Sequence, residues 1–198
     1  MSNTTRVLIL GHSFIKRLFM KIIHTWDSKL VQNLNVREAG VRTRFLGFPG
    51  GNISRLLKDE HHRIRREILK YPPDIVVLQI GGNDLDCEKF NLHVYISNVV
   101  SFINILQGTY GEKKVVVCEI FGRLSLRIPT HVYHYGKQFI DQYFYLQFEN
   151  HPTVNFWFHR SRLVAQDKLF LSDGVHLNVE GTRRFFRSLR GAVLNAIK

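Results

Sequence analysis

Cysteine is scarce in this sequence, with two among 198 residues. Cys87 and Cys118 lie in different contexts and form no CxxC spacing, which argues against a disulfide scaffold and against a zinc ribbon. A reducing compartment, cytoplasmic or nuclear, is therefore the expectation. Cys118 lies within the apolar run VVVCEI and is predicted to be a small, buried core residue.

Long hydrophobic runs are missing as well. No apolar stretch approaches the length of a membrane span, and the N-terminal MSNTTRVLIL lacks a basic region followed by a long apolar stretch. We therefore expect no signal peptide, no transmembrane segment and an intracellular protein. Repeats, low-complexity segments and Pro/Ser-rich linkers are also absent. A hydrophobic content of 44% suits a single domain over residues 1–198.

Acidic residues are few, with 16 Asp and Glu against 28 Lys and Arg, which gives a formal net charge of +12. Such a balance favours polyanionic partners, namely nucleic acid, an anionic membrane surface or acidic substrates. Charge of this kind also promotes solubility without any partner. Both interpretations stay open, and the oligomeric state is not readable from the sequence.

Short apolar runs alternate with helical patterns along the whole chain. Val, Ile and Leu dominate the runs, which is typical of strands covered on both faces in a parallel sheet. Strands are predicted at 6–10, 34–38, 74–80, 115–120 and 153–158, and helices at 52–70, 90–107, 134–149 and 180–197. This alternation predicts a three-layer α/β/α sandwich around a mostly parallel, five-stranded sheet.

The loops after the strands carry the residues with chemical potential. In open parallel sheets, ligands bind beyond the carboxyl ends of the strands. The loops that follow the predicted strands contain GHS at 11–13, GFPGG at 47–51, GGND at 81–84 and SDGVH at 172–176. Each of these loops delivers a residue type that nucleophilic catalysis uses.

Three of these residues have the chemistry of a catalytic triad. The hydroxyl of Ser13 becomes a nucleophile when an imidazole takes its proton, and His176 is the candidate base. Asp173 lies three residues before His176 in a turn-rich segment, so its carboxylate can orient the imidazole. Candidate donors to an oxyanion are the N–H groups of Ser13 and Gly51 and the side-chain amide of Asn83.

The ordered blocks GHSF, GGN, GGND and DGVH resemble those of the SGNH (GDSL-type) serine hydrolase family. The four namesake residues of that family match Ser13, Gly51, Asn83 and His176, and Asp173 matches the aspartate of its DxxH block. The resemblance implies a flavodoxin-like sandwich that hydrolyses short acyl or acetyl esters through an acyl-enzyme, without metal or cofactor. The small size and basic charge also resemble esterase-like domains in the first-reading-frame proteins of LINE-type retrotransposons.

One block departs from the family pattern, because His12 stands where the family usually has aspartate. This aspartate is not a triad member, so the change bears on the support of the serine loop. His12 and Arg123 are further candidates for lining the substrate site. For His12 a structural role is favoured, because adjacent residues at a strand end point in opposite directions. Arg123 follows the fourth predicted strand, and a solvated loop charge is the alternative for it. Asp84 and Asp86 are expected to cap or brace the Asn83 loop.

A second class of function stays open beside the enzyme. A catalytically weak or inactive module of the same fold would bind nucleic acid or anionic membrane through its basic faces. The last predicted helix carries a stripe of arginines, and an aromatic-rich segment over 133–148 offers either core residues, an acyl-binding wall or a lipid-contacting surface. Labelling of Ser13 by a fluorophosphonate separates the enzyme from the inactive module.

Overall fold

The computed structural model describes residues 4–25, 33–36, 40–59, 62–111, 113–159 and 167–198. In this part of the chain, five strands form one sheet in the order β2-β1-β3-β4-β5, and every neighbouring pair is parallel. The strands are β1 (Thr5–Gly11), β2 (Val41–Gly47), β3 (Ile75–Gln79), β4 (Lys114–Cys118) and β5 (Val154–Trp157). The predicted α/β fold is confirmed, and its strand order is the flavodoxin-like one.

Helices connect the strands and cover both faces of the sheet. They are α1 (Ser13–Thr25), α2 (Ile53–Lys58), α3 (Arg63–Lys70), α4 (Gly82–Leu85), α5 (Leu92–Tyr110), α6 (Thr130–Phe148) and α7 (Val179–Ala196), with a 3-10 turn at Asp167–Leu169. None of the helices in the described ranges is long and apolar enough to cross a membrane.

The strand side chains alternate between two cores, as the pleat requires. Val7 and Ile9 of β1 face α1 and α7, while Leu8 and Leu10 face the other helices. Both faces are fully buried there, because all four side chains have no exposed surface. This two-sided burial explains why the central strands have continuous apolar sequences.

The second strand was predicted in the wrong place. Residues 33–35 form a turn, Leu34 and Val36 are buried from that turn, and the strand itself runs over Val41–Gly47. Residues 37 and 38 of the predicted strand lie outside the described ranges. The true strand is at the edge of the sheet, and its arginines at 42 and 44 interrupt the apolar pattern that marks the central strands.

The helix predicted over 52–70 is divided into α2 and α3. Asn52 caps α2 and accepts a hydrogen bond from the N–H of Arg55 at 2.9 Å. Asp59 then adopts a left-handed conformation and accepts hydrogen bonds from the N–H groups of Ile64 and Arg65 at 3.1 and 3.0 Å. Asp59 therefore ends one helix and satisfies the first turn of the next.

Candidate active site

Ser13 is placed by a tight connection between β1 and α1. A side chain at Gly11 would bring its Cβ within 2.2 Å of the carbonyl oxygen of Gln79, so only glycine lets β1 end this close to β3. Ser13 is the first residue of α1, where the backbone N–H has no acceptor inside the helix. The side chain and the N–H of Ser13 thus lie at the carboxyl edge of the sheet.

The loop that carries the predicted acid and base is held at both ends. Phe170 and Leu177 form an antiparallel bridge, so the loop closes like a short hairpin. Gly174 turns it with a φ of 65°, and its carbonyl oxygen accepts hydrogen bonds from the N–H groups of Leu124 and Ser125 at 2.8 and 3.2 Å. The loop is therefore fixed to the segment that follows β4.

The structure brings Ser13, His176 and Asp173 together in the predicted order. His176 Nε2 lies 3.1 Å from Ser13 Oγ, and His176 Nδ1 lies 2.7 Å from Asp173 Oδ2. The other carboxylate oxygen accepts the N–H groups of Val175 and His176 at 2.9 and 2.8 Å. These bonds, first of all the one from the His176 N–H, lower the pKa of Asp173 to about 2, so the carboxylate is ionised at neutral pH.

Asn83, at the start of α4, has its amide held on both sides. Its Oδ1 accepts from Arg123 Nη2 at 2.7 Å, and its Nδ2 donates to the carbonyl oxygen of Gly51 at 2.8 Å. A primary amide has a second hydrogen on Nδ2, and Asn83 lines the same cleft as Ser13. The two bonds fix the orientation of the amide, and its Nδ2 carries one further N–H besides the one bonded to Gly51.

Gly51 differs from its expected role as an N–H donor to the cleft. Its N–H donates to the carbonyl oxygen of Phe48 at 2.9 Å and closes a turn in which Gly50 has a φ of 65°. Gly51 is buried, and Gly50 is the glycine of this turn that lines the cleft. In this structure, the contribution of Gly51 is its carbonyl oxygen, which holds Asn83.

Arg123 is a buried part of the site, so the interpretation as a solvated loop charge is wrong. Its Nη1 lies 2.9 Å from Asp86 Oδ2, and the two side chains are 5% and 4% exposed. The other oxygen of Asp86 accepts the N–H of Arg127 at 2.7 Å. Arg123 also lies on the wall of the cleft, as predicted. Asp86, Arg123 and Asn83 thus form one hydrogen-bonded chain that lines the same cleft as Ser13.

Asp84 and Asp86 brace the Asn83 loop, as expected. Asp84 Oδ1 accepts the N–H of Ile53 at 2.9 Å and so ties the loop to the start of α2. Burial raises the pKa of Asp84 to about 6, and its Oδ2 is a buried oxygen without a hydrogen-bond partner in the described ranges. Among the described residues, Asp86 has an ion-pair partner in Arg123, whereas Asp84 has none.

His12 is not among the described residues that line the cleft, which agrees with the structural role favoured for it and not with the substrate-lining one. Its side chain is 1% exposed, and its ring packs on Phe14 with the ring centroids 5.0 Å apart. Successive side chains at a strand end point to opposite sides, which turns His12 inward when Ser13 faces the cleft. Burial, then the charges of Arg123 and His176, lowers the pKa of His12 to about 3, so the ring is neutral.

The cleft above these residues has a volume of about 900 Å³. Its described lining includes residues of α1, four residues of the segment 123–127 and residues of the loop that carries Asp173 and His176. The aromatic segment over 133–148 is not among the described residues that line the cleft. Tyr133 and Phe144 are buried in the core on the other side of the sheet, whereas Tyr135 and Phe139 face solvent.

Solved structures with the same fold include several hydrolases. A proposed acylhydrolase from Bacteroides fragilis aligns with a TM-score of 0.72 at 16% identity over 100% of this chain and 90% of that chain. A GDSL-like lipase from Bacteroides thetaiotaomicron gives 0.68 at 16% identity over 97% and 89%. An acetylxylan esterase from Geobacillus stearothermophilus gives 0.64 at 14% identity over 96% and 94%. These likenesses define the class by fold, an SGNH hydrolase-like α/β sandwich.

The sequence itself identifies the family. The profile of the GDSL-like lipase/acylhydrolase family matches residues 21–184, which is most of the chain, and the chain therefore belongs to that family. The matched segment contains Asn83, Asp173 and His176, while Ser13 precedes it. No curated protein sequence matches this chain.

Proposed function

We propose that this protein is a serine esterase that acts through an acyl-enzyme. The observation that supports this most directly is the line of hydrogen bonds from Asp173 through His176 to Ser13. Ser13 Oγ attacks the ester carbonyl while His176 Nε2 takes its proton, and that proton then passes to the departing alcohol. Water, activated by the same imidazole, attacks the acyl-enzyme, and Ser13 recovers its proton as the acid leaves. Asp173 holds the imidazole tautomer throughout.

The negative oxygen formed in each step needs donors that are already in place. The proposal assigns this role to the Ser13 N–H and to the second N–H of the Asn83 amide. Gly51 is the third predicted donor, and because its N–H closes the turn with Phe48, it can take part only by sharing that hydrogen. The carbonyl oxygen of Gly51 and the guanidinium of Arg123 set the direction in which the amide points.

Short acyl or acetyl esters are the proposed substrates. Membership of the acylhydrolase family supports ester hydrolysis as the reaction class. Among proteins of similar fold, one is an acetylxylan esterase and another is described as an acetyl esterase, which supports a small acyl group. The alcohol part of the substrate is not specified by these likenesses.

Replacement of Ser13 tests the proposal. Ser13→Ala should abolish turnover of 4-nitrophenyl acetate and labelling by a fluorophosphonate, because the attacking oxygen is lost. Ser125→Ala is the matched control, since Ser125 lines the same cleft from another loop and has no assigned role in the reaction. Turnover at the wild-type rate in Ser13→Ala, with both variants folded by circular dichroism, would refute the mechanism.

The rival proposal is an inactive module that binds nucleic acid or anionic membrane. The net charge of +12 and the exposed side chains of Arg183 and Arg187 on α7 favour it. Such binding weakens steeply as the salt concentration rises. Binding of the protein releases the cations condensed on the polyanion, and a higher salt concentration opposes that release. An unlabelled Ser13 together with salt-sensitive binding to RNA, DNA or acidic vesicles would select this rival, while the two activities together would be compatible.

A further inference from the structure

Helix α1 carries a row of basic residues on the same face as Ser13. Lys16, Arg17, Lys21 and His24 follow Ser13 at intervals of three, four, eight and eleven residues. These intervals place side chains above one another on one side of an α-helix. All four residues line the cleft that contains Ser13, and Lys16, Arg17 and His24 are exposed to solvent, so the row is accessible to a ligand that enters the cleft.

The charges in this cleft do not balance. Among the described residues that line it, five are Lys or Arg and two are Asp. Both aspartates are already engaged, because Asp86 is bonded to Arg123 at 2.9 Å and Asp173 to His176 at 2.7 Å. The exposed Lys16 and Arg17 of α1 and the exposed Arg127 therefore give the described lining of the cleft an excess of positive charge.

The position of the row relative to the nucleophile is set by the fold. A Cβ at Gly47 would lie 2.3 Å from the backbone N of Lys16, so α1 packs directly on the end of β2 at this residue. With a rise of 1.5 Å per residue, Lys16 and Arg17 lie about 5 to 6 Å along the helix from Ser13, and Lys21 about 12 Å. A charge held there would be one or two helical turns from the scissile bond.

We propose that the cleft takes esters that carry an anionic group, a phosphate or a carboxylate, and that Lys16 and Arg17 bind this group while Ser13 attacks the ester. This proposal rests on the proposed esterase function and names its substrate class. Concave sites lined by one sign of charge attract ligands of the opposite sign more strongly than a convex surface does. Because the basic row shares its cleft with the nucleophile, binding of an anionic group of the substrate explains it better than ordinary solvation of surface charges does.

Two acetyl esters that differ only in charge provide the test. 4-Acetoxybenzoate carries its carboxylate one benzene ring from the ester, and 4-acetoxybenzamide is its neutral counterpart. At low salt, kcat/KM divided by the hydroxide-catalysed rate should be about tenfold higher for the benzoate, as several ion pairs of modest strength act together. 4-Acetoxyphenyl phosphate, measured in the same way, distinguishes a phosphate site from a carboxylate site.

Two double variants locate the effect. Lys16→Gln with Arg17→Gln should reduce the preference for the anion to about twofold or less, since most of the attraction is lost. Arg65→Gln with Arg66→Gln removes the same charge from exposed positions on α3, outside the described lining of the cleft, and should keep the full preference. Equal losses in the two double variants would assign the effect to net charge and overturn the proposal.

The remaining outcomes separate this proposal from the esterase itself. If the neutral ester is hydrolysed and the anionic esters show no preference, the anion site is refuted and the esterase stands. If neither ester is hydrolysed, binding of 4-acetoxybenzoate to Ser13→Ala tests the anion site. The line width of the ester in NMR spectra measures this binding. Binding that disappears with Lys16→Gln and Arg17→Gln supports the site, and an absence of binding overturns it.

Discussion

The amide of Asn83 has a defined direction because Arg123 and Gly51 hold its two ends. If this amide stabilises the oxyanion, Asn83→Ala should lower kcat about a hundred- to a thousandfold with a smaller change in KM. Asn98→Ala is a suitable control, because Asn98 donates to Ser54 Oγ at an exposed position away from the cleft. Steady-state kinetics on 4-nitrophenyl acetate measure both effects, and a kcat within threefold of wild type would remove Asn83 from the mechanism.

Side chains in local motifs lie together as the sequence indicated, whereas contacts between distant loops were not predicted. Ser13, Asp173 and His176 lie in short blocks whose chemistry is readable from neighbouring letters. The bond from Arg123 to Asn83 joins loops after β3 and β4, so it depends on those strands being adjacent in the sheet. The buried position of Arg123 follows from its partner Asp86, and no local pattern around residue 123 indicates that partner.

At the scale of elements, the packing of α1 on β2 depends on Gly47. Gly47→Ala would place a methyl group 2.3 Å from the Lys16 backbone, so the helix must shift. We expect a loss of about 2 kcal/mol in the free energy of unfolding, measured by urea denaturation. Gly108→Ala on α5 is the control, because nothing lies within 4 Å of the new methyl group there. That variant should gain about 0.5 to 1 kcal/mol, since alanine favours a helix over glycine.

The sheet was predictable wherever both of its faces are covered. Strands β1, β3 and β4 lie in the middle of the sheet, and their uninterrupted apolar sequences follow directly from that burial. Strand β2 lies at the edge with half-buried side chains, so its mixed sequence has no comparable signal. The division between α2 and α3 was missed because Asp59 is compatible with either a helix surface or a cap, and only its contacts decide.

The whole molecule contains buried groups whose titrations oppose one another. Burial lowers the pKa of His12 and of His159 to about 3, so the folded state resists protonation that the unfolded chain accepts below pH 6.5. The contribution of these two histidines to the free energy of unfolding therefore decreases as the pH falls below 6.5. Burial raises the pKa of Asp84 and of Asp141 from 3.8 to about 6. The contribution of these two aspartates to the free energy of unfolding therefore decreases as the pH rises from 3.8 to 6. A free energy of unfolding that changes little between pH 4 and 6 would therefore be the sum of two large and opposite contributions.

Replacement of Asp84 should reveal one of them. Well below pH 3.8 the carboxyl is protonated in both states, whereas above pH 6 the folded state must hold a buried charge, at a cost of about 2 to 3 kcal/mol. Asp84→Asn retains an oxygen for the Ile53 N–H and has no charge to bury. The stability of the variant relative to wild type should therefore rise by about that amount from pH 4 to pH 7.

Urea denaturation at each pH measures this difference. Glu88→Gln removes one carboxylate from an exposed position of the next turn, and its difference from wild type should stay within about 0.5 kcal/mol across the range. A constant difference for Asp84→Asn from pH 4 to pH 7 would mean that Asp84 ionises as easily in the folded chain as in the unfolded one. The loop that contains Asn83 and Asp84 would then be accessible to water. The Asn83 amide, which is proposed to bind the oxyanion, would no longer be held in surroundings that exclude water.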